Sequence, residues 1–178
     1  MSIRVVISLS SFAGLLEAGL WPPELSFRAM SKSLEEDLSV LSAAKLGLSY
    51  LTPNDWTLIA DKAIRVQFKE GQNIIQRGKR PNGVYLLLKG NARVQIPSQT
   101  MFRTVGPGEI CGEMSFLEDG PASADVVAGE AVEAYHLDYS TLQHLFELFP
   151  HLASRFYRSL ATNLSRRLRD LIAKASGD

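Results

Sequence analysis

The residues best suited to chemistry in this chain lie between Gly112 and Val126. A glycine and a carboxylate, Gly112-Glu113, open what reads as one helical turn over Gly112–Leu117. The free N–H groups at the start of a helical turn suit an anion. Small residues follow, Pro121-Ala122-Ser123-Ala124, and then a further acid, Asp125. An anion site gains most from a cation at its wall, yet this stretch holds no lysine, arginine or histidine. It is built like a binding loop and lacks the charge a binding loop would use.

Catalytic chemistry is not encoded alongside it. His136 stands alone on a candidate strand, while His144 and His151 fall on candidate helices, so no histidine–carboxylate metal set forms. His136 reads as a partly buried structural histidine. Ser-x-x-Lys, Gly-x-Ser-x-Gly and Cys/His nucleophile patterns are missing, as is a Walker-type loop. Glu113 has no second acid at a spacing that would serve glycoside chemistry. The chain therefore reads as non-enzymatic.

Bulk properties agree with a modest binding module. The chain has 178 residues, enough for one domain with appended helices. Hydrophobic residues make up 46% and charged residues 21%, the balance of an ordinary globular domain. Lys+Arg and Asp+Glu number 19 each, so the net charge of zero points to no nucleic-acid partner. Cys111 is the single cysteine, which excludes an internal disulfide and fits a reducing cytoplasm. No stretch reaches the roughly 18 to 20 apolar residues of a membrane span. Near the start, an apolar run to Leu16 is broken by serines and lacks a cleavage pattern. It reads as an extension ahead of the domain, in preference to a targeting segment or a partner-binding helix.

The elements that must position Gly112–Val126 follow from periodicity. Trp21-Pro22-Pro23 marks a break. Ser33 can cap a helix carrying Glu35, Glu36 and Asp37 in its first turn and Leu34, Leu38, Leu41 and Leu48 on one face. Thr52-Pro53-Asn54-Asp55 predicts a second helix to about Ala63, with Thr52 as cap and Asp55 completing a capping box. Short β-rich runs follow at Ile64–Lys69, Asn73–Gln76, Gly83–Leu88, Ala92–Ile96, Met101–Val105, Asp125–Ala128 and Val132–Leu137. Glycine turns separate them, which predicts a sandwich or barrel. Helical spacing returns over Tyr139–Phe149 and His151–Ala175, the latter with Leu152, Phe156, Leu160, Leu164, Leu168 and Leu171 along one face. The boundaries expected are an extension over 1–32, a domain over 33–149 and a long helix over 150–178.

This order, with four glycine motifs in sequence, resembles the cyclic nucleotide-binding domain. Phe68-Lys69-Glu70-Gly71 with Ile74-Ile75-Gln76-Arg77-Gly78 is similar to its first glycine-closed strand pair. Val84-Tyr85-Leu86-Leu87-Leu88-Lys89-Gly90 is similar to its central strand. Gly106-Pro107-Gly108-Glu109 and Gly112-Glu113-Met114-Ser115 resemble its phosphate-binding cassette. The resemblance covers roughly Leu34 to Ile172. It implies a mainly β fold with flanking α: a double-stranded β-helix, or jelly-roll-like β-roll, with N-terminal helices, a short cassette helix and C-terminal helices. Phe149-Pro150 and Arg166-Arg167-Leu168-Arg169 further resemble the long helix that pairs subunits in the catabolite activator protein class. That class continues into a helix-turn-helix, for which a chain ending at Asp178 leaves no room.

The resemblance also implies roles. Gly112 lets the backbone approach a cyclic phosphate, Glu113 accepts from the ribose 2′-hydroxyl, and Met114 and Ser115 form the short helix. Ser123 and Ala124 match the small residues that admit the ring. Val94 and Phe102 would line the pocket. The family's phosphate-binding arginine falls at Ala122. Losing such a charge-assisted contact costs roughly 1.5 to 3 kcal/mol, about ten- to hundredfold in affinity. Asp125 is expected to add negative charge near Glu113. Arg103 follows Phe102, so alternation is expected to turn it outward; the other reading makes it a replacement cation. Arg77, Lys79 and Arg80 read as a solvated face. Asn163, Ser165 and Arg166 are polar residues of the last helix able to reach a ligand, but they read in preference as solvated or inter-subunit residues. Two functions follow: a dimeric, non-enzymatic regulatory module with cAMP or cGMP binding weak or lost, or a working sensor of a cyclic nucleotide or less anionic ligand.

Overall fold

The computed structural model describes residues 34–44, 47–95 and 103–176. The expected extension over 1–32, the Ser33 cap and the placement of Phe102 lie outside the described residues. Helix α1 covers residues 34–43 and α2 covers Pro53–Lys62. The strands are β1 (Ile64–Phe68), β2 (Asn73–Ile75), β3 (Gly83–Lys89), β4 (Ala92–Gln95), β5 (Arg103–Val105), β6 (Ile110–Cys111), β7 (Asp125–Ala128) and β8 (Val132–Asp138). Helix α3 (Glu113–Glu118) interrupts them after β6, and α4 (Tyr139–Leu148) and α5 (Pro150–Ser176) close the chain. Strand β6 is an addition to the sequence reading: two residues are too short for an alternation pattern to register.

The strands form two four-stranded sheets, ordered β1-β8-β3-β6 and β2-β7-β4-β5, with every pairing antiparallel. The roll and its flanking helices thus match the fold expected from sequence. Two apolar clusters hold it together. One lies inside the roll and includes Ile75, Leu87, Val105, Cys111, Val126, Val132 and Ala134. The other lies between the first sheet and the helices and includes Trp56, Ile59, Val84, Leu86, Leu137, Leu142, Leu152 and Phe156. Strand β3 serves both, with Val84, Leu86 and Leu88 facing the helices and Leu87 facing the roll. A strand covered on both faces has no solvent side, which explains its unbroken Val84-Tyr85-Leu86-Leu87-Leu88 run.

Polar groups pin the helices to this frame. Thr52 and Asp55 form the capping box read from sequence. Asp55 then receives two bonds from Arg155 on α5, each 2.6 Å. Asp37 was expected to favour the start of α1 electrostatically. It is instead buried, accepting from Arg65 at 3.1 and 3.3 Å and from the Tyr135 hydroxyl at 2.7 Å. On α5, Asn163 Nδ2 donates to Gly47 O at 2.8 Å, and Ser159 Oγ accepts from Tyr50 N–H at 3.0 Å. The first half of the apolar stripe on α5 is intramolecular core: Leu152, Phe156 and Leu160 are each 1% exposed. Leu168, Leu171 and Ile172, at 59%, 53% and 57%, are not covered.

Candidate functional site

The site sits where β6 gives way to α3. Gly112 adopts φ +89°, in the left-handed region that favours glycine. A Cβ there would lie 2.9 Å from Gly83 O and 3.3 Å from Ile75 Cδ1. This turn is fixed from outside as well, because the Tyr139 hydroxyl donates to Gly112 O at 3.1 Å. Phe116, on α3, packs against Tyr139 (centroids 5.2 Å apart) and stacks on Tyr157 of α5 (6.1 Å). The short helix is therefore clamped between the roll and both C-terminal helices.

A cavity of about 80 Å³ opens beside it. Among its lining residues are Gly112, Glu113, Met114 and Ser115 from the turn, and Ala122, Ser123 and Ala124 from the following loop. Val94 also lines it, as the sequence suggested. Ala122 is 7% exposed and contributes a methyl group where the resemblance asks for a guanidinium.

Two charged residues behave otherwise than expected. Arg103 does not turn outward; it lines the cavity. Strand β5 pairs with β4 through Val94↔Arg103 and Ala92↔Val105, which puts Arg103 and Val105 on the inner face and leaves Thr104 exposed. Its Nη2 donates to Glu109 at 2.7 Å. Burial, and then the positive charge of Arg167, push the Arg103 pKa below its ordinary value. Asp125 does not add charge to the cavity. Its Oδ1 accepts from Arg77 N–H at 2.9 Å, tying β7 to the turn after β2. On α5, Arg166 is exposed and Asn163 is committed to Gly47, while Arg167 enters the site.

Arg167 is the residue the sequence reading missed. Its Nη1 donates to Glu113 Oε1, and the two side chains are 15% and 7% exposed. Its Nε and Nη2 are buried with no acceptor among the described residues. The signal was present: Phe156, Leu160, Asn163 and Arg167 continue one buried stripe at helical spacing. Counting leucines alone led to Leu164 and Leu168, which drift toward solvent.

Cys111 also borders the cavity, with its thiol pKa pushed far up, first by burial and then by Glu113. Such a thiol is a poor nucleophile. His136 packs against Tyr85 with ring centroids 4.7 Å apart, and burial lowers its pKa. Among the described residues, no three His, Cys, Asp or Glu side chains are grouped to hold a metal, and no helix is long and apolar enough to cross a membrane.

Comparison with known proteins places this architecture. Residues 65–148 match the profile of the cyclic nucleotide-binding domain. Cyclic GMP-binding protein C of Dictyostelium discoideum is 31% identical, over 66% of this chain and 5% of that protein. The cyclic AMP receptor protein of Thermus thermophilus is 32% identical, over 67% of this chain and 56% of that protein. A cyclic nucleotide-binding domain from Methylobacillus flagellatus shares the fold with a TM-score of 0.65 at 20% identity, covering 78% of this chain and 80% of that one. The chain thus spans a small part of the first relative and just over half of the second. Residues 65–148 therefore form a domain of the cyclic nucleotide-binding family.

Proposed function

We propose that this domain is a non-enzymatic regulatory module in which the phosphate-binding cassette no longer carries its own cation. The observation that supports this most is Ala122 at the cavity wall, within a turn otherwise built to the family's plan. A second observation points the same way. Glu113, to which the resemblance gives a ribose contact, is occupied by Arg167. The cavity left between them, about 80 Å³, is far below the roughly 300 Å³ at which ligand pockets begin. A cyclic nucleotide enters only if α5 releases Arg167 from Glu113.

Its output is a change in α5. Ligand binding and docking of α5 compete for Glu113, so a ligand shifts the population of docked and released helix. Leu168, Leu171 and Ile172, the exposed end of α5, form the seam through which two copies pair. The buried thiol of the single cysteine suits a reducing, cytoplasmic setting.

Thermal denaturation with cAMP or cGMP tests this reading. Neither should raise Tm by more than a small amount in the wild type at concentrations that saturate ordinary members of the family. A large increase would show that the missing arginine does not limit affinity. The sensor reading keeps a specific support in Arg103 and Arg167, two cations at the same cavity.

A further inference from the structure

A second cavity, of about 310 Å³, lies among β2, β3 and the turn that joins them. It is larger than the cassette cavity and reaches the roughly 300 Å³ at which ligand pockets begin. Its apolar wall is made by Ile74, Ile75, Pro81 and Tyr85. The Tyr85 ring is held in place by Phe68, edge-on at 5.8 Å, and by His136 at 4.7 Å. Lys79 and Arg80 also line the cavity, and no aspartate or glutamate does. Both cations are exposed, as the sequence predicts, so they stand at its rim.

The turn that carries these cations is pinned at both ends. Gly78 N–H donates to Ala122 O at 2.8 Å, and Ala122 N–H donates back to Lys79 O at 2.9 Å. Asn82 O accepts from Tyr139 N–H at 2.9 Å. Arg80 is paired with Asp119, the residue that ends α3. Lys79 forms no ion pair among the described residues. Cations at the rim and a wall without carboxylates suit an anion. The aliphatic wall and the tyrosine ring suit a flat hydrocarbon body. A bare ion would leave that wall against water, and a neutral hydrocarbon would leave the cations unused.

We propose that this cavity is a second binding site, for a small aromatic carboxylate whose ring lies against Tyr85, Ile74 and Pro81 and whose carboxylate meets Lys79 and Arg80. It goes beyond the regulatory role proposed above and does not depend on cyclic nucleotide binding at the cassette. The site is placed to be felt there. Ile75 lines both cavities, and a Cβ on Gly112 would lie 3.3 Å from Ile75 Cδ1. The turn carrying Lys79 is bonded in both directions to Ala122, the position at which the family's arginine falls. A carboxylate that draws Arg80 competes with Asp119 and so loosens the end of α3. Binding in this cavity is thereby coupled to the cassette without entering it.

The test is calorimetric titration of the full chain with 2-naphthoate, beside 2-naphthamide as its uncharged isostere and inorganic phosphate as an anion without a ring. Wild type, Lys79→Gln, Arg80→Gln and, as a surface cation elsewhere, Lys89→Gln are compared, each first checked by circular dichroism. Wild type should bind 2-naphthoate at about 1 mM or tighter, the scale for a ligand of about 13 non-hydrogen atoms. Lys79→Gln and Arg80→Gln should each weaken it roughly threefold or more, and Lys89→Gln should not. 2-Naphthamide should bind more weakly and respond to none of the three. In heteronuclear NMR spectra, the amides of residues 73–85 should shift first, followed by that of Gly112. No binding of 2-naphthoate at millimolar concentration, or affinity indifferent to both Lys79 and Arg80, overturns the proposal. So do phosphate binding as tightly as 2-naphthoate and amide shifts centred on residues 112–124. None of these outcomes touches the reading of Ala122, which is judged by cyclic nucleotide affinity.

Discussion

Arg167, two thirds of the way along a 27-residue helix, donates to Glu113, the first residue of the cassette helix 54 positions earlier. Both side chains are largely removed from solvent, at 15% and 7% exposure. The pair joins the part of the fold that would meet a ligand to the part that would report it. Phe116 supports the same junction through its ring contacts with Tyr139 and Tyr157.

Breaking one side of this pair should be costly. Glu113→Gln strands the Arg167 charge and should destabilise by about 3 kcal/mol in urea unfolding, the scale for removing one partner of a buried ion pair. Arg167→Met, which strands Glu113, should cost a similar amount. The double substitution should recover much of the loss, giving a coupling energy of roughly 1 to 3 kcal/mol. Strictly additive losses would mean that the two residues act independently.

Asp55 should shape the acid limb of stability. The Arg155 hydrogen bonds, opposed by burial and aided by Thr52, hold its pKa below the ordinary 3.8. A carboxylate depressed in the folded state contributes stability that is present above its unfolded pKa. That contribution is lost as pH falls through the lower folded value. Stability should therefore decline as pH drops below about 4, and Asp55→Asn should be less stable at neutral pH with a flatter decline. Urea midpoints measured from pH 7 to pH 2 check this, and an unchanged slope in the variant would contradict it.

Much of the helical frame was legible because its signals are local. The Thr52–Asp55 capping box lies within four residues and reads directly from the sequence. The glycine turns likewise announce the strands. Arg103 and Arg167 were misplaced for the opposite reason. Which face of β5 turns inward depends on its pairing with β4, through Val94↔Arg103, and alternation supplies a period without a phase. The buried stripe of α5 runs through polar Asn163 and Arg167, so hydrophobicity alone points to the wrong side of the helix. Asp125 read as a charge in the pocket because its true acceptor role, for Arg77 N–H, joins residues 48 apart in sequence.

Gly112→Ala and Gly71→Ala separate crowding from backbone conformation. Both glycines have positive φ, +89° and +79°. A Cβ on Gly71 meets nothing within 4 Å, while one on Gly112 meets Gly83 O at 2.9 Å. Gly71→Ala should cost about 1 kcal/mol from conformation alone. Gly112→Ala should cost more, up to about 3 kcal/mol, and should disturb the start of α3. Equal losses in chemical denaturation would show that contact with β3 does not constrain this turn.

The uncovered end of α5 predicts self-association. Sedimentation equilibrium should find a dimer, and Leu171→Glu should weaken it roughly tenfold or more by placing a charge in an apolar seam. Because Leu171 is 53% exposed in the single chain, the variant should keep the wild-type circular dichroism spectrum. A wild type that stays monomeric at all concentrations would refute this role for the helix.

The central claim concerns Ala122, and the most direct measurement is calorimetric titration of wild type and Ala122→Arg with cAMP and cGMP. The variant should gain at least about tenfold in affinity, the scale of one restored charge-assisted phosphate contact. Wild-type binding as tight as that of the variant would contradict it.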